Sequence, residues 1–356
     1  MGAVTPGLVC GHHHLYSALA RGMPAPPRQP TEFSSILEQI WWRLDVALDH
    51  EMLHASALLG ATEALLCGTT AIVDHHESPS CIEGSLSVIA DACATVGVRL
   101  DVAYGVTDRW ADDGTLVSGA GGPPARMTDA ARRGLAECER FVRAGGRGMV
   151  GVHAAFTCSD ETLEAAAGLA RDLGVGVHVH VAEGPVDRGA GERLAPLAAD
   201  DWLLVHCVHL GRDLPGTIAH NPRSNMNNGV GYARPTARPN RVVLGTDGIG
   251  GDMLEEFRLA YVRLREHDVL ASPDTPWRWL ADGAERFFPE VAQDRVTWNY
   301  DHADSAWHVA FSPGVRALEV VVDGEVLVAD GRPTRVDLDE VRAKAAEQAV
   351  RLFSKL

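Results

Sequence analysis

The chain has 356 residues, 46% of them hydrophobic, which suffices for one large domain with a small appendage. Its net charge of −16 and its dispersed arginines argue against a nucleic-acid partner, because neutralising phosphates requires clustered Lys and Arg. No apolar run approaches the roughly 20 residues of a membrane span, and we expect no signal peptide. Seven cysteines without a CxxC pair make a disulfide framework unexpected, so we expect a cytoplasmic protein.

Strand patterns recur along the chain with helical patterns between most of them. Most of these strands are too apolar for a half-exposed antiparallel sheet and indicate strands that are buried on both faces. Eight such units predict an α/β fold, a (β/α)8 TIM barrel, in which chemistry lies at the C-terminal ends of the strands. In chain order the predicted strands are 7–14, 69–76, 99–106, 148–156, 174–183, 202–210, 216–222 and 241–248.

Helix boundaries are marked by capping residues. Residues 31–67 read as two helices with a break near Asp49, and Ser159 can cap a helix that ends at Gly174. Asp252 begins another helix with the pattern of a capping box. After Pro273 the pattern predicts one more helix, a β-hairpin over 317–331 and a C-terminal amphipathic helix.

This pattern predicts three regions. Residues 1–288 would form the barrel, 289–335 a small β-subdomain containing the hairpin, and 336–356 the C-terminal helix. Because only five residues precede Pro6, we expect the small β appendage to be reduced.

Polar side chains cluster at the predicted strand ends, where a barrel keeps its chemistry. Histidines occur at six of the eight ends and an aspartate at a seventh, which is hard to attribute to chance. The residues at or just after strand ends are His12, His14, His75, His76, His153, His180, Glu183, His206, His220 and Asp247.

The stretch "LVCGHHHLY" raises the possibility of a metal site. Side chains alternate along a strand, so His12 and His14 would point one way and His13 the other. Zinc favours imidazole nitrogen and carboxylate oxygen, which His180 and Asp247 also offer. Glu183 lies just past His180, near enough to handle water on a metal without binding it. His178 has the same parity as His180, and a buried, hydrogen-bonded histidine is an equally good interpretation of it.

At these residues the chain resembles a known family. "PGLVCGHHHLYSALARGM", "HVHVAE", "LVHCVHL", "HNPRSNM" and "LGTDG" are similar to five signature blocks of the amidohydrolase superfamily. The branch is that of the purine, pyrimidine and triazine aminohydrolases and chlorohydrolases, and the wording is closest to the SsnA-type aminohydrolases. The similarity runs from about Pro6 to Met253.

The resemblance implies roles for individual residues. It implies one divalent metal, Zn²⁺ or alternatively Fe²⁺, held by His12, His14, His180 and Asp247. Glu183 would be the proton shuttle and His206 would polarise the bond under attack, with Asp247 as a second base. Relatives contact the substrate at the positions of Arg109 and His153, while His220, Ser224 and Asn225 would brace the site.

These residues predict a metal-dependent aminohydrolase that releases ammonia from a planar heterocyclic or amidine-like compound, a small-molecule substrate. One alternative is a chlorohydrolase or an amide or iminoamide hydrolase of the same superfamily. The other is a catalytically silent binding protein on the same scaffold, against which intact ligands, Glu183 and His206 argue.

The hairpin also predicts self-association. Its strands are apolar, and with so short an N-terminal segment we expect no strands to cover them. An uncovered strand edge invites pairing with another chain. We therefore expect a homodimer or higher homo-oligomer with contacts from 317–331 or from the C-terminal helix. The alternative is that this helix covers the hairpin within one chain.

Overall fold

The structure is a computed structural model that describes residues 2–111, 113–117 and 119–356. Strands occur where the sequence places apolar, β-branched runs. They are β1 (Val4–Thr5), β2 (Leu8–His14), β3 (Thr69–His76), β4 (Arg99–Tyr104), β5 (Val150–Ala154), β6 (Val177–Val181), β7 (Leu203–His206), β8 (Thr217–His220), β9 (Val242–Leu244), β10 (Asp247–Gly248), β11 (Arg295–Trp298), β12 (Ala317–Val322), β13 (Glu325–Ala329) and β14 (Arg332–Pro333).

Helices fill most of the intervals between the strands. They are α1 (Phe33–Ile36), α2 (Trp42–Ala47), α3 (His50–Leu66), α4 (Ser85–Val96), α5 (Asp129–Arg143), α6 (Asp160–Leu173), α7 (Ala190–Leu194), α8 (Pro222–Asn227), α9 (Met253–His267), α10 (Asp274–Phe287), α11 (Ala306–Phe311) and α12 (Leu338–Phe353).

The predicted helix caps are confirmed. The side chain of Ser159 accepts a hydrogen bond from the Thr162 amide, and α6 ends at Gly174 with a φ of 68°. Asp252 caps α9 through the Glu255 amide, and Asp49 caps α3 through the Met52 amide. These side chains satisfy amide groups that have no partner inside the helix.

The parallel strands close into a barrel. Strands β2, β3 and β4 pair in parallel, and so do β5 to β9, while bridges from Val102 to Gly148 and from Val106 to Val152 join the two sets. The ring closes where β10 pairs with β2, with Asp247 opposite His13. The predicted (β/α)8 barrel is therefore present, with β9 and β10 together as its eighth strand.

Apolar side chains fill the barrel interior below the strand ends. Val9, Val73, Val205 and Val243 are at most 1% exposed and belong to one buried cluster. Phe288, which follows α10, joins the same cluster. The polar strand ends are thus supported from beneath by a closely packed core.

The small β-sheet differs from the prediction. Its order is β1-β11-β12-β13-β14, all antiparallel, so it recruits β1 from outside the predicted range 289–335. The barrel itself covers the hairpin: Leu327 lies close to Gly97 after α4, and Val320, Leu327 and Val328 are at most 1% exposed. The expectation of an uncovered hairpin is wrong for these residues. The domain boundaries at 288 and 335 stay a prediction.

The C-terminal helix packs on the barrel. Val341, Ala345 and Leu352 of α12 are buried in one apolar cluster with Leu53 of α3. Covering of the hairpin by this helix, the alternative interpretation, is therefore also not what the structure shows. No helix among the residues described is long and apolar enough to cross a membrane.

Candidate active site

A cavity of about 210 Å³ opens at the C-terminal end of the barrel. Its walls include His14, His180, Glu183, His206 and Asp247. These residues come from β2, β6, β7 and β10 or the loops just after them. Because the carboxyl ends of the strands meet at one end of a barrel, residues far apart in sequence share one cavity.

Two imidazoles face each other in this cavity. The Nε2 atoms of His14 and His180 are 3.2 Å apart. The Nδ1 of His14 lies 2.5 Å from the carbonyl oxygen of His75, and that of His180 lies 2.6 Å from the carbonyl oxygen of His153. A carbonyl oxygen only accepts, so each Nδ1 carries a proton and the two Nε2 atoms face each other. A cation shared between these two nitrogens, either a proton or a metal ion, stabilises this arrangement.

Asp247 completes this cluster from the last strand. Its Oδ1 lies 3.0 Å from Nε2 of His14 and 3.3 Å from Nε2 of His12. The carboxylate raises the pKa of His14 to about 9, although burial acts in the opposite direction. A positive charge is therefore stabilised at this point. The possible ligand atoms of His12, His14, His180 and Asp247 all lie within 4.8 Å of one another.

The donor set fits a divalent metal ion. The Nε2 of His12 is buried without a hydrogen-bond partner. Burial lowers the pKa of His12 and of His180, so both rings are held in the neutral form that binds metals. Three imidazoles and one carboxylate match the ligands that zinc prefers. The His/Asp cluster can thus hold one metal ion.

Supporting residues orient the cluster. His178 lies behind His12, with its Nε2 2.8 Å from Nδ1 of His12, which agrees with its interpretation as a buried, hydrogen-bonded histidine. Ser224 donates a short hydrogen bond to Oδ2 of Asp247. His13 points away, and its Nδ1 lies 2.7 Å from both Oγ1 of Thr246 and the carbonyl oxygen of Asp247. Such contacts fix the orientation of potential ligands.

Glu183 and His206 form a second group beside Asp247. The Oε2 of Glu183 lies 3.3 Å from Nε2 of His206, which in turn is 3.8 Å from Oδ2 of Asp247. Burial, together with the nearby Asp247 carboxylate, raises the pKa of Glu183. The shorter contact of the His206 Nδ1, at 2.8 Å, is to Oδ1 of Asn225. A carboxyl group with a raised pKa beside a polar ring is suited to proton transfer.

The backbone is strained at this group. His206 and Asp247 have φ values of 69° and 58°, in the left-handed region that side chains other than glycine rarely adopt. Such strain persists only where the surroundings impose it, and it concentrates at functional sites.

Arg109 lies elsewhere than the resemblance implied. Its side chain is fully buried behind the cavity wall, where its Nη1 donates to Nε2 of His153 at 3.1 Å. Its Nη2 donates to Oε1 of Glu77 and is 3.7 Å from Oδ2 of Asp45. His153 itself lines the cavity. Arg109 is therefore placed to position His153, while His153 remains the predicted contact with substrate.

The predicted bracing residues divide into two kinds. Ser224 and Asn225 contact Asp247 and His206 directly. His220 is buried with neither ring nitrogen hydrogen-bonded, and it is not among the described residues that line the cavity. His75 lines the cavity, whereas His76 packs against Tyr104 and bonds Ser78.

Sequence reasoning missed three residues. Glu77 and Asp45 line the cavity and flank Arg109. Asn228 donates to Oε1 of Glu183 at 3.2 Å. Glu77 directly follows a predicted strand, so it carries the same signal as Glu183, a carboxylate at a strand end. Asp45 and Asn228 gave no such signal, because a helix and a loop bring them to the site.

Known proteins resemble the chain over almost its whole length. It is 26% identical to the 5'-deoxyadenosine deaminase of Methanopyrus kandleri, covering 99% of this chain and 87% of that protein. It is 27% identical to the 5-methylthioadenosine/S-adenosylhomocysteine deaminase of Syntrophomonas wolfei, covering 98% and 87%. Atrazine chlorohydrolase TrzN from Arthrobacter aurescens, crystallised with zinc, superimposes with a TM-score of 0.76 at 22% identity, covering 97% and 88%.

These similarities agree with the site. They confirm the predicted barrel and the predicted class, an aminohydrolase acting on non-peptide C–N bonds. The model of the amidohydrolase family matches residues 3–276. The chain therefore belongs to the amidohydrolase family.

Proposed function

We propose that the chain is a zinc-dependent deaminase that replaces the 6-amino group of an adenosine-like nucleoside by oxygen and releases ammonia. The curated relatives are named for deamination of 5'-deoxyadenosine, 5-methylthioadenosine and S-adenosylhomocysteine. An aminopurine is a planar compound with an amidine-like carbon, the class that the sequence predicted. A halide or amide leaving group is the alternative that product analysis separates.

The observation that carries the proposal is the pair of facing Nε2 atoms of His14 and His180, 3.2 Å apart and beside Asp247. This pair favours a cation at the point in the cavity where the nitrogen and oxygen ligand atoms are concentrated. Glu183 and His206 lie beside that point and, outside the ligand set of three imidazoles and Asp247, supply groups that can carry protons. Ligands and proton carriers together favour hydrolysis over simple binding.

The chemistry divides between the ion and the protein. A zinc ion held by His12, His14, His180 and Asp247 would supply a Lewis acid that lowers the pKa of water to about 7. Glu183 Oε2 is placed to take a proton from the attacking water and pass it to the ring nitrogen of the purine. Asp247 Oδ2 would take the second water proton and deliver it to the departing amino group. The new C–O bond thus replaces the C–N bond, and ammonia leaves.

His206 and His153 orient the substrate in this scheme. The Nε2 of His206 faces both carboxylates and would polarise the carbon under attack. His153 is held by the Arg109 guanidinium on one side and by Thr157 Oγ1, 2.8 Å away, on the other. Its ring would therefore form a fixed wall for the purine.

Metal content tests the ligand set. We expect about one divalent ion per chain, zinc in preference to iron, because three imidazoles and one carboxylate converge on one point. Elemental analysis of protein purified without chelator measures it. Protein that contains no metal and takes up none from added zinc would contradict the prediction.

Turnover tests the reaction. Zinc-loaded protein should release ammonia from at least one member of a panel of adenosine analogues, aminopyrimidines, pterins and triazines. Glu183→Gln should lower that rate by about 10²-fold or more while the metal stays bound, because it keeps the shape and removes the proton carrier. A near-normal rate in this variant, or chloride release without ammonia, would contradict the proposal.

We also propose that the chain self-associates, although the exposed apolar surface of the hairpin is smaller than the sequence predicted. Most of the hairpin is covered, but Leu318 and Val326 remain 43% and 41% exposed. We expect a homodimer by light scattering at micromolar concentration and a shift to monomer for Val326→Lys. Val262→Lys, at a half-exposed aliphatic position on α9, is the control. A monomeric wild-type protein would contradict the prediction.

A cytoplasmic location is the last part of the proposal. All seven cysteines are free thiols, and five of them are fully buried: Cys10, Cys93, Cys138, Cys158 and Cys207. Proteins in reducing compartments keep thiols of this kind.

A further inference from the structure

An arginine at the wall of the active-site cavity is anchored by a buried carboxylate. Arg223 lies in the first turn of α8 and lines the cavity, and its Nε donates to Oε1 of Glu256 on α9 at 2.8 Å. Glu256 is only 1% exposed. Because a guanidinium is planar, a buried partner on one edge fixes the direction in which its other nitrogens point. Neither residue takes part in the proposed reaction.

The anchored guanidinium binds the backbone on both sides of Asp247. Its Nη2 donates to the carbonyl oxygen of Thr246 at 2.7 Å and lies 3.1 Å from that of Gly248. The last barrel strand is interrupted here, since β9 ends at Leu244 and β10 is only two residues long. Arg223 therefore contacts the peptide groups directly before and after Asp247, where the strand itself gives them little support.

This segment needs outside support because its backbone is strained. Asp247 and Ile249 have φ values of 58° and 59°, both in the left-handed region, and neither is a glycine. Such conformations persist where the surroundings over-determine them. The amide of Ile249 donates to Oγ of Ser17 at 3.0 Å, and the two contacts of Arg223 hold the neighbouring carbonyl groups. Arg223 is thus part of what keeps the Asp247 backbone in place.

The same short helix contacts the other groups that carry protons. Next to Arg223, Ser224 bonds Oδ2 of Asp247 and Asn225 contacts the ring of His206. Asn228, which ends α8, donates to Oε1 of Glu183. The contact of Arg223 with Glu256 ties this helix to α9, so it bears on the position of the whole group.

We propose that Arg223, held by Glu256, is a positioning residue that fixes Asp247 in the orientation needed to bind the metal and accept a proton. The inference rests on the proposed function for the metal and the reaction. The competing explanation is an ion pair that only joins α8 to α9. Such a pair would contribute to the free energy of unfolding, but it would affect neither the release of zinc nor kcat.

Arg223→Met tests the proposal through two separate measurements. The first is the rate at which zinc-loaded protein loses its ion to an excess of chelator, which requires no substrate. We expect this rate to rise about tenfold, because contacts that orient metal ligands typically contribute 10–100-fold to affinity or activity. The second is steady-state turnover, where kcat should fall about tenfold or more while KM stays within about twofold.

A second variant and a matched control separate positioning from stability. Arg223→Lys keeps a positive charge near Glu256 but lacks the planar fork, so it should also release zinc faster, even if Arg223→Met folds poorly. Arg140→Met is the control, because Nε of Arg140 donates to Oε2 of the buried Glu137 at 2.7 Å, and neither is among the described residues that line the cavity. It should leave zinc release and kcat unchanged.

Each outcome decides one of the two proposals. Unchanged zinc release in both Arg223 variants, or an equal rise in Arg140→Met, would overturn the positioning role. A higher KM with unchanged kcat and zinc release would overturn it too and make Arg223 a substrate contact. Faster release in the Arg223 variants, with no ammonia from any aminopurine in the wild type, would uphold the positioning of Asp247 and overturn the proposed deamination. A wild-type protein that takes up no zinc would overturn both.

Discussion

Asp247→Asn is expected to lower turnover by about 10⁴-fold, the upper end of what proton transfer contributes, and to lower metal content as well. The change removes the charge that lies 3.0 Å from His14 and 3.3 Å from His12. Burial alone would raise the pKa of Asp247, but the imidazoles of His12, His14 and His206 around it hold that pKa well below its usual range. The side chain is therefore an anion, which asparagine cannot replace either as a ligand or as a proton acceptor.

Asparagine is the right substitute because of the backbone. Asp247 has a φ of 58°, and asparagine tolerates this left-handed conformation better than most side chains. A loss of activity can then be assigned to chemistry rather than to strain. The measurements are elemental analysis, ammonia release and thermal unfolding.

Asp282→Asn is the matched control, since Asp282 is an equally buried aspartate, 8% exposed, that pairs with Arg278 on α10. It should retain metal and turnover. An Asp247→Asn protein that keeps both its ion and more than about a tenth of the wild-type rate would show that the carboxylate is not needed for the reaction.

Arg109→Gln is expected to lower the free energy of unfolding by about 3–5 kcal/mol, the usual result of leaving a buried charge without its partner. The guanidinium is fully buried between Glu77 and Asp45, and its Cζ lies 4.3 Å from the centre of the Trp42 ring. Its removal leaves two buried carboxylates facing each other. Urea denaturation with a constant m-value measures the loss.

Two further variants separate charge from packing. Arg278→Gln removes an exposed arginine that pairs with Asp282 and Glu285, and should leave the free energy of unfolding nearly unchanged. Adding Glu77→Gln to Arg109→Gln should recover part of the loss, because one unpaired charge is then removed. An Arg109→Gln protein as stable as the wild type would show that the network contributes nothing to folding.

The sequence predicted most of the barrel because its strands have a simple signal. Strands buried on both faces must be apolar, so β3 and β6 stand out, and chemistry can only follow at their ends. That rule brought His12, His14, His180, Glu183, His206 and Asp247 into one candidate site. The structure places all six together.

What the sequence did not predict depends on contacts between distant segments. The position of Arg109 behind His153 depends on Glu77 and Asp45, which come from a different strand end and a helix. Pairing of β1 with β11 joins residues nearly 300 positions apart, and strand patterns carry no information about such partners. The π-helical turn at Leu37–Trp41 has no pattern in hydrophobicity, so the sequence did not predict how Trp41 reaches the wall of the cavity.

The three consecutive histidines all contact Asp247 of the last strand, two of them at its side chain and one at its backbone. His12 and His14 approach the carboxylate of Asp247, and His13 holds its backbone carbonyl and the hydroxyl of Thr246. The last strand is interrupted between β9 and β10, where the Thr246 amide donates to the carbonyl oxygen of His12 and the imidazoles add side-chain contacts between the first and last strands. Closure of the barrel and the metal site therefore depend on the same residues. An ion bound there would stabilise the closed barrel against opening, in addition to its role in the reaction.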